Sequence, residues 1–252
     1  MAKNLLLLSS SRVGDTDYLE HALPLIEQFL FELNLVASAK DKQNNQSVAN
    51  KKFLFIPYAG ISISFDRYEA MVKEAIKGLA IEVTSLHHSA DKAQAIKQCD
   101  GIITGGGNTF ALLNSLYELD LIEPIRKAVA EGLPYIGWSA GSNIAAPSIK
   151  TTNDMPIVEP PSFEALDFLP WQINPHYIDG NPPGHNGETR QQRIEEFLII
   201  NPDKKVIAIP EGTALKYQKN RLSFIGETDG FLFANNCKTS FASNSDLNQL
   251  LK

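Results

Sequence analysis

The 252-residue sequence is short of several things, and each shortage removes a class of function. It has two cysteines, Cys99 and Cys237, far apart and in no C-x-x-C pair. No Cys/His cluster with zinc spacing results, and the cysteine usage fits a reducing compartment. Positive charge is scarce: 23 Lys and Arg stand against 29 Asp and Glu, a formal net charge of −6. Without a basic excess there is little to neutralise phosphates, so neither nucleic acid nor an anionic membrane is an expected partner. Long apolar runs are missing from the opening, MAKNLLLLSSSR, which carries four leucines in a row. Four are too few for a signal-peptide core or a bilayer span, so the expected location is the cytoplasm. Histidine is sparse as well, five in all, which narrows any search for a catalytic base.

What remains is an ordinary soluble composition, 43% hydrophobic and 21% charged, of a length that suits one domain over 1–252. Strand-length apolar runs stand at Leu5–Ser9, Lys52–Pro57, Ile81–Leu86, Gly101–Thr104, Tyr135–Trp138 and Val206–Pro210. Helical patterns fall between them at Tyr18–Leu33, Arg67–Leu79, Ala90–Gln98, Thr109–Leu116 and Leu121–Glu131, and again at Glu188–Ile200. Continuous apolar strands alternating with helices predict an α/β fold on a mostly parallel sheet, with ligands gathering at the carboxyl ends of its strands. After residue 210 the pattern alternates through Ala214–Gln218, Leu222–Ile225 and Phe231–Ala234, as antiparallel hairpins would. Residues 37–50 are polar and nearly featureless and read as a loop or frayed helix end. Residues 147–185 hold more than half of the 14 prolines, together with Trp171 and Phe163. They read as an ordered loop packed over the active edge.

Gly137-Trp138-Ser139-Ala140-Gly141 is a G-x-S-x-G pattern directly behind an apolar run. A strand ending in a sharp turn, with a helix beyond, lifts the serine hydroxyl clear of the backbone, and side chains at the flanking glycines would clash. A serine nucleophile needs a base. His21 lies in the first helical segment, His87 and His88 on a turn after the third strand, and His185 in a Gly/Asn-rich loop. His176 ends the extended run Gln172-Ile173-Asn174-Pro175, which proline stiffens, and is the candidate base. Two acids can orient it: Asp154, in Thr152-Asn153-Asp154-Met155, and Glu211, in Ile209-Pro210-Glu211-Gly212. Gly105-Gly106-Gly107-Asn108 follows a strand but fits neither nucleotide-binding glycine motif. Its backbone suits half an oxyanion hole, with Gly107 as one donor and Ala140 as the other.

The stretches GGGNTF (105–110), YIGWSAGSN (135–143), TTNDMPIV (151–158), QINPHY (172–177), GHNGETRQQRI (184–194) and IPEG (209–212) closely resemble the peptidase E family. LLLLSSSR and EHALPLI (20–26) extend the resemblance to nearly the whole chain. It implies a flavodoxin-like sheet with helices on both faces, related to class I glutamine amidotransferases. It also implies a cytoplasmic serine dipeptidase cleaving small dipeptides with N-terminal aspartate, without metal or cofactor. Carried over, Ser139 is nucleophile and His176 base, while the third member falls on Asp154 or Glu211. Arg190 would pair with the substrate carboxylate and Asn108 would bind the substrate as a neutral polar partner. A monomer or small homo-oligomer is expected. Two other classes fit the same residues: a cyanophycinase-like hydrolase of β-linked aspartyl-arginine, which requires an acidic pocket, and a non-catalytic flavodoxin-like binding protein.

Overall fold

A computed structural model describes residues 3–36, 51–181, 183–184 and 186–251. The 37–50 segment and His185 lie outside the described residues. In chain order the elements are β1 (Leu5–Leu8), α1 (Leu23–Glu32), β2 (Lys51–Ile56), α2 (Phe65–Ala75), β3 (Ile81–Ser85), α3 (Lys92–Gln98), β4 (Gly101–Thr104), α4 (Thr109–Glu118), α5 (Ile122–Ala130), β5 (Tyr135–Trp138) and α6 (Ala140–Asn143). There follow β6 (Gln172–Pro175), α7 (Arg190–Ile200), β7 (Val206–Ile209), β8 (Ala214–Gln218), β9 (Arg221–Ile225), β10 (Gly230–Ala234) and β11 (Cys237–Phe241).

Seven strands form one sheet in the order β3-β2-β4-β5-β1-β8-β9. The first five are parallel; β8 runs against them, and β9, antiparallel to β8, returns to their direction. The parallel five follow the flavodoxin plan, 2-1-3-4-5, with this chain's first strand standing in the fifth place. The strand order reverses between β2 and β4, where such sheets open a ligand crevice. The four leucines of β1 show why the strands read as unbroken apolar runs. Leu5 and Leu7 face the cluster formed with Ile96, Leu112, Leu116 and Ile125 of α3, α4 and α5. Leu6 and Leu8 face Ile26 and Phe29 of α1, Val72 of α2 and Ile76 just past its end. With helices on both faces no polar alternation survives.

Val206–Ile209 looks like another strand of this series, but it belongs to a second sheet of order β11-β10-β7-β6. There β6 and β7 are parallel, while β10 and β11 are antiparallel additions. The 147–185 stretch is therefore not one loop, because β6 runs through it. Trp171 is buried, its Nε1 donating to Leu250 O at 3.1 Å, and so are Phe168 and Tyr177; Phe163 stays 43% exposed, edge-on to Phe110. The first helix is also shorter than the pattern Tyr18–Leu33. A 3₁₀ turn covers Glu20–Ala22 and the α-helix begins at Leu23, because Pro24 has no N–H and is accepted only in a first turn. Among the described residues no helix is long and apolar enough to cross a membrane.

The two sheets meet at their carboxyl ends. Ser9, fully buried just past β1, donates its hydroxyl to Ile209 O at 2.8 Å and accepts the backbone N–H of His176 at 2.9 Å. Ser9→Ala removes both bonds from a site without solvent. Urea unfolding is expected to show a loss of about 1–3 kcal/mol, and an unchanged midpoint would contradict this role for the hydroxyl.

Candidate active site

The turns after β2, β4 and β5 open side by side because those strands are parallel neighbours. The third turn carries Ser139, whose backbone is at φ 53°, ψ −114°, a conformation that costs an L-residue about 1–3 kcal/mol. The surroundings leave it no alternative. Ser139 N–H donates to Leu8 O at 3.2 Å, and Ser142 and Asn143 N–H both donate to Ser139 O at 2.9 Å. Ser142 Oγ shares its one proton between Leu8 O and Gly137 O, at 2.7 and 2.9 Å. A Cβ on Gly141 would sit 2.2 Å from Thr104 O, so only glycine lets α6 pack this closely on β4.

His176 follows Pro175 at the end of β6 and also has positive φ, 54°. Its Nε2 lies 2.8 Å from Ser139 Oγ and its Nδ1 lies 2.9 Å from Glu211 Oε1. A carboxylate can only accept, so the proton sits on Nδ1 and the Nε2 lone pair faces the serine hydroxyl. Glu211 reaches this position because it follows β7, the parallel partner of β6, with Pro175 registered against Ile209. The turn behind it is closed by Gly212, whose N–H donates to Ser10 Oγ at 3.1 Å. The serine thus comes from one sheet, and the histidine and its acid from the other.

Asp154, the other acid, does not meet the histidine. Its Oδ2 accepts from Thr109 N–H and Thr109 Oγ1, at 2.7 and 2.5 Å. It still borders Ser139, in a small hollow shared with Thr109, Ala140, Asn143 and His176. Arg190, the first residue of α7, lies within electrostatic range of Asp154. Partial burial lowers its guanidinium first, Arg193 adds to this, and Asp154 opposes it. The side chain of Asn108 is spent on structure: Oδ1 caps α4 by accepting from Ala111 N–H, and Nδ2 donates to Met155 O. Gly107, at φ 134°, passes so close to Ala59 O that a Cβ would be 2.1 Å from it. Ala140 opens α6, so its N–H has no partner within the helix.

Ser139 and His176 face a cleft of about 560 Å³ lined also by Ala59, Ile63, Gly107 and Ile157, among others. A larger groove of about 840 Å³ lies at the amino-terminal ends of β4 and β5 and holds none of them. Three contributions were not assigned from sequence. Ser9 positions the histidine backbone. Gly106 packs directly on the nucleophile, and a Cβ there would be 3.0 Å from Ser139 Cβ. Its carbonyl ends a relay in which Trp138 Nε1 donates to Tyr18 Oη, Tyr18 to Tyr68 Oη, and Tyr68 to Gly106 O, at 2.9, 3.1 and 2.9 Å. Burial pushes both phenols up, which keeps them neutral hydroxyls. The run Ser9-Ser10-Ser11 at a strand's carboxyl end was the available signal for the first; nothing in sequence links 18, 68, 106 and 138.

Comparison with known proteins places the chain in a family. Residues 5–225 match peptidase family S51. Peptidase E of Shewanella denitrificans is 52% identical over 252 residues, covering 100% of both chains. Peptidase E of Shewanella oneidensis is 49% identical over 253 residues, again covering 100% of each. A crystal structure of a peptidase from an acI-B1 Actinobacterium superposes with a TM-score of 0.64 at 18% identity, over 98% of this chain and 97% of that one, a likeness of fold. On the strength of the family match and of relatives near half identity along its whole length, the chain belongs to peptidase family S51.

Proposed function

We propose that the protein is a serine-type dipeptidase that removes N-terminal aspartate from small dipeptides through an acyl-enzyme on Ser139. The observation that carries this reading is the unbroken contact from Ser139 Oγ through His176 to Glu211. His176 takes the serine proton as Oγ attacks the scissile carbonyl. The oxyanion lies between the N–H groups of Gly107 and Ala140. His176 then protonates the leaving amine, and water, activated in turn by the same imidazole, hydrolyses the aspartyl ester. Serine, histidine and water carry every transfer, so the reaction needs no cofactor.

Glu211 is the orienting acid in this scheme, supported by its contact with Nδ1. Asp154 has a different task, fixing the first turn of α4 beside the nucleophile. Arg190 pairs with the aspartate side chain, since a carboxylate taken out of water needs a bidentate cation and this guanidinium is already partly desolvated and within electrostatic range of Asp154. Substrate size follows from the walls: the 57–63 loop, and the 151–157 segment tied down by Asn153 Nδ2 donating to Pro175 O at 2.9 Å. The setting is the cytoplasm, and the protein acts as a monomer or small homo-oligomer on free dipeptides.

Ser139→Ala is expected to lower kcat/KM for Asp-Leu by about 10⁴-fold or more, with circular dichroism unchanged; surviving turnover would remove Ser139 from the mechanism. Glu211→Gln is expected to cost kcat about 10²–10⁴-fold and Asp154→Asn much less, and steady-state kinetics showing the reverse order would exchange the two acids. Arg190→Ala is expected to shrink the preference for Asp-Leu over Ala-Leu by about 10- to 100-fold. An unaltered ratio would place aspartate recognition elsewhere.

A further inference from the structure

Away from Ser139, where β3 ends and α2 begins, two histidines and two carboxylates converge. We propose that Asp66, Glu69, His87 and His88 form a binding site for one divalent transition-metal ion of the zinc type, an inference independent of the peptidase reading. The four ligand atoms, one from each residue, all lie within 4.8 Å of one another. His87 Nε2 is 2.9 Å from Asp66 Oδ1, His88 Nε2 is 3.4 Å from the same oxygen, and His88 Nε2 is 2.8 Å from Glu69 Oε2. A tetrahedral zinc bound by nitrogen and oxygen has ligand-to-ligand edges of about 3.3–3.5 Å. Three of the six edges are thus within tenths of an ångström of that length, and the other three are no longer than 4.8 Å, so small rotations of the side chains would close them around an ion.

The local chain explains the convergence. Asp66 and Glu69 are three apart on the first turns of α2 and so share a face. His87 and His88 are consecutive in a 3₁₀ turn, their rings 3.8 Å apart, which brings both Nε2 atoms to Asp66. The outer atoms are held as metal ligands require. His87 Nδ1 is 2.6 Å from the buried Ser85 Oγ. Glu69 is only 8% exposed, and its Oε1 accepts from Ser85 N–H at 3.0 Å and pairs with Lys73 Nζ at 2.8 Å, which leaves Oε2 for the ion. Asp66, 76% exposed, gives the ion a way in. Two imidazole nitrogens with two carboxylate oxygens suit zinc better than calcium or magnesium, which prefer oxygen alone. The site would clasp the start of α2 to the end of β3, and α2 carries Tyr68, the phenol that holds Gly106.

The test is titration of the chelator-stripped full-length chain with Zn²⁺ by calorimetry, and with Co²⁺ by visible absorption. One equivalent is expected to bind, with the d–d bands of tetrahedral Co²⁺ and a rise in Tm on zinc addition. The double variant His87→Ala/His88→Ala is expected to bind Zn²⁺ roughly 100-fold more weakly or worse, and Asp66→Asn roughly 10-fold. Should the double variant not fold, Asp66→Asn, at an exposed position, decides the matter alone. No saturable binding by the parent chain would overturn the site. So would parent-like affinity in the folded variants, or binding lost instead in His176→Gln, which would put the ion at the peptidase site.

Discussion

The position of the base depends on one buried hydroxyl. Ser9 stands at the end of the central strand β1, beside β5 and its nucleophile, and reaches across to both chain segments that carry the histidine and the acid. A site assembled from a single sheet would inherit its geometry from the ladder. Here two ladders must be set against each other, and hydrogen bonds between their carboxyl ends do the setting. Ser10 repeats the arrangement one residue on, holding the turn behind Glu211. Bonds of this kind have short reach and narrow angles, so they fix relative position more tightly than apolar contact between the sheets could.

Strain follows from the same design. Ser139 and His176 both sit at positive φ, near 54°, and each conformation costs about 1–3 kcal/mol against a typical net stability of about 5–15 kcal/mol. Such a load is sustained because the backbone on either side is over-determined. Leu8 O receives both Ser139 N–H and Ser142 Oγ, while His176 N–H is held by Ser9 and Tyr177 N–H by Ile209 O. The result is a serine and a histidine whose side chains face each other at 2.8 Å without needing to search.

Much of this was legible in sequence, and the gaps have physical causes. The strands and helices of the large sheet follow from apolar runs and period, and the serine turn from glycines that close packing demands. Membership of a strand in one sheet or another leaves no such mark. Val206–Ile209 is covered on both faces, as β4 is, so the two runs read alike. That ambiguity also hid which acid meets His176. Spacing along the chain separates Asp154 and Glu211 from the histidine by 22 and 35 residues, and neither number says which lies nearby. The pairing of Gln172–Pro175 with Val206–Ile209 does, because parallel neighbours end together. The relay from Trp138 to Gly106 and the His87/His88 cluster joined segments far apart in sequence, where local pattern has no hold.

The chain order Ser139, His176, Glu211 has a temporal consequence. A polypeptide is made from its N-terminus, and the segment bearing Glu211 comes late, after both strands of the large sheet that flank the elbow. β1, the first strand made, is then sealed on its open side by β8, which is later still. A nascent chain on the ribosome therefore displays its serine long before it has a partner to activate it. In the proposed mechanism hydrolytic competence therefore waits for the strand that carries Glu211, and a copy that stops short of it is a silent one.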